Sequence, residues 1–228
     1  MVIKSSKFDL HLHTTYSDGS MNINDAIKTA KEKNLTCIAI TDHFTTSWKA
    51  FIIDTINFSN FDKYRNEILE LRRALQYNCL VGIEIDMESD WNEIKKIPFE
   101  NFEIILFEYV HFLGQLKSIE NYLQTHDIKA IMALAHNYNF RGRTLEVYSR
   151  FLTENNICFE LNSRYLPSIN ENLLYMMKFL KDSGVIFTIG SDAHTRKRIG
   201  DLKTPHMIIE KIDGYDNLIK VDKIIKSM

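Results

Sequence analysis

The chain is 228 residues long, with 45% hydrophobic and 25% charged side chains, 28 Lys and Arg against 30 Asp and Glu, and a formal net charge of -2. This composition excludes a disordered or fibrous chain and makes one domain, residues 1–228, with a single substantial core the expectation. The near-zero charge argues against the basic stripe of a long nucleic-acid track, and no stretch reaches the roughly 18 consecutive apolar residues of a membrane-spanning helix.

The opening segment MVIKSSKFDL has no signal-peptide apolar core, so a cytoplasmic protein is expected. The first strand begins at Phe8 in Phe8-Asp9-Leu10-His11-Leu12-His13. Residues two apart on a strand share a face, so His11 and His13 project together while Phe8, Leu10 and Leu12 point the other way. Two such imidazoles can grip one metal ion, yet two ligands alone do not make a site. A helix is expected from Asn24 to Lys33, with Asn24 as its start signal, followed by a strand over Thr36–Thr41 that leads into Asp42-His43. A helix over Phe61–Gln76 and strands over Leu80–Ile85 and Glu103–Phe107 come next, the latter followed by His111. Then come a helix over Gln115–His126, a strand over Ala130–Ala135 ending at His136, a helix over Thr144–Glu154 and a strand over Ile157–Leu161. A helix over Asn170–Lys181 with Gly184 beyond it, and a strand over Val185–Ile189 leading to Asp192 and His194, complete the alternation. Pro98, Pro167 and Pro205 are expected between elements, with the barrel spanning about 8–200 and closing amphipathic helices over 205–228. Cys37, Cys79 and Cys158 lie in or beside apolar runs, as small buried hydrophobes rather than a disulfide framework.

Seven strands alternating with helices, most of them nearly continuous apolar runs, imply a parallel sheet covered by helices. Closed on itself this is an α/β (β/α)7 TIM-like barrel; the competing open doubly wound sheet lacks its Gly-rich phosphate loop after the first strand. In a barrel the C-terminal strand ends meet on one face, where sites of this architecture are built. Six of the eight histidines, His11, His13, His43, His111, His136 and His194, sit at such ends, together with Glu84, Glu160 and Asp192, whereas His126 and His206 do not. Scattered core or surface histidines have no reason to collect where strands stop.

These motifs carry a resemblance. His11-x-His13-Thr14-x-x-Ser17-Asp18-Gly19, Thr41-Asp42-His43, Gly82-Ile83-Glu84-Ile85, Val110-His111, Ala135-His136 and Gly190-Ser191-Asp192-Ala193-His194 resemble, in order, the motifs of the polymerase and histidinol phosphatase (PHP) superfamily. The resemblance implies a distorted (β/α)7 barrel holding up to three divalent metals. It places His11, His13, Glu84 and Asp192 on the first metal, Glu84, His111 and His136 on the second, and Asp18, His43 and His194 on the third. Mixed imidazole and carboxylate ligands suit zinc, manganese or iron. Asp9 and Asp42 stand where they could orient ligand imidazoles, and Glu160 lies near the metals or hydrogen-bonds inside the barrel. The sequence departs from the family in two places: His136 is followed by Asn137 rather than proline, and Phe107-Glu108-Tyr109 replaces a small Gly-Ser-like stretch.

Metals roughly 3.5–4 Å apart can hold a hydroxide nucleophile and clamp the oxygens of a phosphate, which is phosphate-ester hydrolysis. Arginine forks match phosphoryl oxygens, so Arg164, Arg196 and Arg198 are the expected substrate-binding residues, with Arg141 and Arg143 as further candidates. The expectation is a metal-dependent phosphomonoesterase of histidinol phosphatase type acting on a small phosphorylated substrate. A nuclease or nucleotide phosphoesterase, with Phe44, Trp48, Phe51 or Tyr138 stacking a base, is the second reading, and a non-catalytic metal-binding PHP module the third. A metal-dependent amidohydrolase shares the paired histidines but commonly bridges its metals with a modified lysine, where this chain has a glutamate.

Overall fold

In the computed structural model, residues 7–138, 144–166 and 168–221 are described. Eight strands form one wholly parallel sheet: β1 (Phe8–Asp9), β2 (Cys37–Ile40), β3 (His43–Phe44), β4 (Cys79–Asp86), β5 (Ile104–Glu108), β6 (Ile131–Leu134), β7 (Ile157–Asn162) and β8 (Phe187–Gly190). The order is β1-β2-β4-β5-β6-β7-β8, with β3 paired to β4. Because β3 continues the path of β2 beyond Thr41 and Asp42, the seven expected strands correspond to seven staves, one of them broken. The barrel closes between its first and last staves: Leu10 N donates to Ile189 O at 3.1 Å, His13 N donates to Ala193 O at 3.1 Å, and Leu12 bridges Ala193 in parallel. The (β/α)7 expectation holds.

The staves read as apolar runs because both of their faces are covered. All eight residues of β4 are buried, and so are all five of β5 and all six of β7. Around them lie α1 (Ile23–Glu32), α2 (Phe61–Leu75), the single turn α3 (Trp91–Ile94), α4 (Leu113–Leu123), α5 (Leu145–Glu154), α6 (Glu171–Asp182) and α7 (Lys203–Lys211). Each of the longer ones buries one stripe; α1, for instance, turns Ile23, Ala26, Ile27 and Ala30 inward. The helix start expected at Asn24 lies two residues earlier, because the Asn22 side chain accepts from Asp25 N at 2.8 Å and satisfies a first-turn donor. Asn170 caps α6 as expected, accepting from Leu173 N.

Pro205 corrects another expectation. It lies inside α7, in the first turn, where a missing N–H costs nothing because no intrahelical acceptor exists for it. Pro167 and residues 222–228 of the expected closing helices lie outside the described residues, but Leu218 bridges Phe187 and Ile219 N donates to Phe187 O at 3.0 Å. The tail therefore seals the N-terminal end of β8. Cys37, Cys79 and Cys158 are buried and not disulfide-bonded. Among the described residues no helix is long and apolar enough to cross a membrane.

The break between β2 and β3 is held by one side chain. Tyr64 of α2 is fully buried, and its hydroxyl accepts from Asp42 N at 3.3 Å while lying 2.9 Å from Ile40 O and 3.0 Å from Gly82 O, donating its proton to these carbonyls. Removing that hydroxyl strands buried backbone groups, so Tyr64→Phe is expected to cost about 1–3 kcal/mol. Thermal unfolding should show Tm falling by roughly 2–4 °C for each kcal/mol lost.

Candidate metal centre

The C-terminal ends of the staves bring their polar residues to one place, and Glu84 is its centre. Its Oε1 lies 3.0 Å from His136 Nε2 and 3.3 Å from His11 Nε2; its Oε2 lies 2.9 Å from His43 Nδ1 and 3.5 Å from His13 Nε2. On the far side of the paired histidines, Asp192 Oδ1 stands 3.2 Å from His13 Nε2 and 3.9 Å from His11 Nε2. Outward from His13, Asp18 Oδ1 is 3.7 Å from both His13 Nδ1 and His43 Nε2, and its Oδ2 is 3.0 Å from His194 Nε2. Eight of the nine expected ligands thus share one connected cluster: His11, His13, Asp18, His43, Glu84, His136, Asp192 and His194.

Three groups offer ligand atoms lying within 4.8 Å of one another: His13, Asp18, His43 and His194; His11, His13 and Asp192; and His43, Glu84 and Glu108. The first contains the expected set of Asp18, His43 and His194 with His13 added, the second is the expected first-metal set without Glu84, and the third contains Glu108, which sequence reasoning noticed only as a departure from the family. His111 is the ninth expected ligand, and the structure does not bring it in. Tyr109 adopts a left-handed conformation (φ 55°) that ends β5 and turns the chain outward. Gln115 then fixes the turn, its Oε1 accepting from His111 N at 2.7 Å and Phe112 N at 2.9 Å while its Nε2 donates to Met87 O at 2.7 Å. The His111 side chain ends at the rim, one-third exposed, with Nε2 4.0 Å from Glu88.

The residues fit metal ions. His11 Nε2 and His13 Nε2 face each other at 3.0 Å, so that with both nitrogens deprotonated they could hold one ion between them. Glu84 Oε2 and Asp192 Oδ1 are buried and make no hydrogen bond, although imidazole nitrogens stand close to both. Buried carboxylate oxygens that forgo hydrogen bonds are costly unless a cation satisfies them. Protons carry that charge in its place. Burial lowers the pKa of His43, but Glu84 and Glu108 outweigh it and push it up to about 10. Burial likewise opposes protonation of His11, yet Glu160, Glu84 and Asp192 hold it well above the usual imidazole value. His13 stays neutral, its pKa pushed down to about 3 by burial and by the neighbouring His43. For Glu84, burial raises the pKa but the His11 and His43 charges hold it well below the carboxylate range. Metal binding would displace the imidazole protons and take over their charge.

Supporting side chains orient this set. Glu160 Oε1 accepts from His11 Nδ1 at 2.7 Å, and Oε2 accepts from His136 N at 2.9 Å, so Glu160 aims two of the clustered histidines from behind. Gly190 lets them approach: a Cβ there would stand 2.4 Å from both Glu160 Oε1 and His11 Cβ. Asp42 accepts from Thr14 N and Thr14 Oγ1, each at 2.7 Å, and from Ser17 Oγ at 2.5 Å, which fixes the turn after His13. Asp9 turns away from the histidines and straps the Ser191 and Gly200 amides, each at 2.8 Å, so it positions backbone rather than imidazole.

The loop cations divide. Arg164 reaches the cluster, Nη1 lying 2.6 Å from His194 Nδ1 and 3.9 Å from Asp192 Oδ1. Arg196 and Arg198 do not: Arg196 pairs with Asp25 and Arg198 with Asp201 at 3.3 Å, because the short turn that carries them, Arg196–Arg198, faces α1. Arg141 and Arg143 lie outside the described residues. Lys49, which no sequence signal marked, enters instead, with Nζ 2.6 Å from Glu108 Oε1 and 3.2 Å from His43 Nδ1. Of the aromatics, Phe44 and Tyr138 are packing residues, Tyr138 O–H donating to Glu160 O at 3.2 Å, while Trp48 and Phe51 are exposed, 58% and 92%.

Because Glu160 orients His11 through a charged contact, Glu160→Gln should keep the fold and weaken metal retention by roughly ten- to hundredfold. Dialysis against graded chelator followed by elemental analysis reads this directly.

The PHP domain family matches residues 9–222. The chain is 28% identical over 232 residues to a probable histidinol-phosphatase of Clostridium acetobutylicum, covering 85% of this chain and 88% of that protein. It is 24% identical over 210 residues to the DNA polymerase/3'-5' exonuclease PolX of Bacillus subtilis, covering 87% of this chain but 36% of that protein. Its fold is similar to that of the histidinol phosphate phosphatase of Lactococcus lactis complexed with zinc, L-histidinol and phosphate, with a TM-score of 0.66 at 18% identity over 91% of this chain and 94% of the other. With the barrel, the strand-end cluster and a match over nearly its whole length in agreement, the chain belongs to the PHP domain family.

Proposed function

We propose that this protein is a metal-dependent phosphomonoesterase acting on a small phosphorylated molecule, of the histidinol phosphatase type. The observation that carries this reading is the central carboxylate of Glu84, buried among four imidazoles with Oε2 making no hydrogen bond. Such an atom at the functional end of a barrel is a ligand in waiting. The similarity to a probable histidinol-phosphatase over 88% of that protein's length favours the phosphatase type.

His11, His13 and Asp192 would hold one metal with Glu84, Glu84 and His136 a second, and Asp18, His43 and His194 a third; with no thiolate in the set, zinc, manganese and iron all suit it. When bound, such ions lower the pKa of water and withdraw charge from phosphoryl oxygens. The chain's own residues do the rest. Arg164, 43% exposed in its side chain beside Asp192, offers a planar fork to the phosphate oxygens as their charge grows. The strand-held ligands keep their geometry before substrate arrives, so little reorganisation is needed in the transition state.

A panel of p-nitrophenyl phosphate, its diester analogue, histidinol phosphate, nucleoside monophosphates and a single-stranded oligonucleotide tests the reading. Monoester turnover that chelator abolishes and added metal restores is expected, with Asp192→Asn slower by at least about a hundredfold, or roughly 2.7 kcal/mol in transition-state stabilisation. Preferential cleavage of the diester or oligonucleotide would replace it with the nuclease reading. Absence of both bound metal and turnover would sink it.

A further inference from the structure

Glu108 closes β5 with a carboxylate, 1% exposed, in a barrel interior that already holds Glu84, Glu160 and Asp192. One more buried acid at such a place is costly without cations to face it. Its two oxygens point to different partners: Oε1 stands 3.2 Å from His43 Nδ1, and Oε2 stands 4.0 Å from His136 Nε2. Those same two imidazoles flank Glu84, at 2.9 and 3.0 Å, so His43, Glu84, His136 and Glu108 ring one small volume. Lys49 Nζ sits on its edge, 2.6 Å from Glu108 Oε1, which shows that the volume attracts positive charge. Meanwhile the residue that the family resemblance would put there, His111, is held at the rim by the Gln115 side chain, whose four hydrogen bonds at 2.7–3.1 Å fix the backbone of the turn.

We propose that Glu108 takes the place of His111 in binding the second divalent metal, together with Glu84 and His136, and that this chain has exchanged an imidazole ligand for a carboxylate. The inference rests on the metal-cluster reading above. A carboxylate from the strand itself replaces an imidazole from the following turn, so the site gains an anionic oxygen ligand and loses dependence on the rim. Hard oxygen ligands favour manganese or magnesium over zinc relative to the imidazole they replace.

The test is metal stoichiometry rather than turnover. Wild type, Glu108→Gln, Glu108→Asp and His111→Ala are loaded with Mn2+, freed of excess by gel filtration and analysed for metal per chain, with far-UV circular dichroism to confirm folding. Glu108→Gln is expected to lose about one equivalent, or to bind it at least tenfold more weakly in a Mn2+ titration. Glu108→Asp keeps part of that binding, and His111→Ala matches wild type within about twofold. Full occupancy in Glu108→Gln would overturn the inference and leave Glu108 as the counter-ion of Lys49; loss in His111→Ala would also overturn it, by returning the imidazole to the shell. A wild-type protein that takes up no metal would instead refute the metal-cluster reading itself, so the two failures are told apart by which protein shows them.

Discussion

Everything at this end of the barrel depends on keeping Glu84 ionised in a place closed to bulk solvent. Its side chain is about 1% exposed, and a lone carboxylate at such a site would take up a proton rather than stay charged. Of the four imidazoles within 3.5 Å, the charges on His11 and His43 and the hydrogen bonds from His11 and His136 hold it in the charged state. The imidazoles are in turn held by acids further out, Glu160 behind the His11 ring and Asp18 between His43 and His194, while Glu160 also accepts from the His136 backbone N–H. The result is an alternating lattice of charges in which removing any one member exposes the others, and only metal ions could replace the protons it now carries.

That lattice constrains the fold as much as the fold positions it. His11 and His13 can point inward only if β1 runs beside β8, which is why Leu12 bridges Ala193 and Gly190 has no side chain. Strand ends are then bent sharply so that side chains aim at the axis. His136 at φ 35° and Asp192 at φ 51° both adopt the left-handed conformation that non-glycine residues avoid. Asp9, accepting from the Ser191 and Gly200 amides, helps hold the bend at Asp192, and Asp42 holds the turn after His13.

Much of this was legible in the sequence, because barrel strands betray themselves as apolar runs and histidines at their ends have no packing reason to be there. The convergence of eight of the nine expected ligands follows largely from the parallel topology, since every strand end reaches the same face. What escaped depended on turns. Whether a residue just beyond a strand points in or out is set by local backbone conformation: Tyr109 in the left-handed region carried His111 outward, and a three-residue turn facing α1 gave Arg196 to Asp25. Glu108 carried a signal that could have found it, a charged residue ending an otherwise apolar strand beside the register partner Asp86, itself buried. Lys49 carried none, because it reaches the cluster from a short 3-10 segment, Trp48–Phe51, whose position no periodicity encodes. Asn22 and Pro205 shifted helix boundaries by two residues, within the first turn where capping chemistry rather than hydrophobic pattern decides.

The division between staves and turns also separates chemistry from selection. Most of the expected ligands sit on or directly at the end of strands packed on both faces, and a wall of that kind cannot adapt to one substrate without disturbing the charges on all sides. Around the mouth, by contrast, stand Arg164 and the exposed Tyr165 and Trp48, all on short turns or 3-10 segments. Turns tolerate change where staves do not. On the proposed phosphatase reading, the phosphate group that all substrates share would meet the wall, and the remainder of the molecule would lie against the rim. The substitution of Phe107-Glu108-Tyr109 for small residues reaches from one zone into the other, since Glu108 faces the wall while Tyr109 is half-buried near the mouth, its ring 6.5 Å from that of His136. One local change in sequence therefore alters both the charge of the clustered wall and the shape of the opening above it, and on the proposed metal-centre reading it couples what the centre would bind to what would enter.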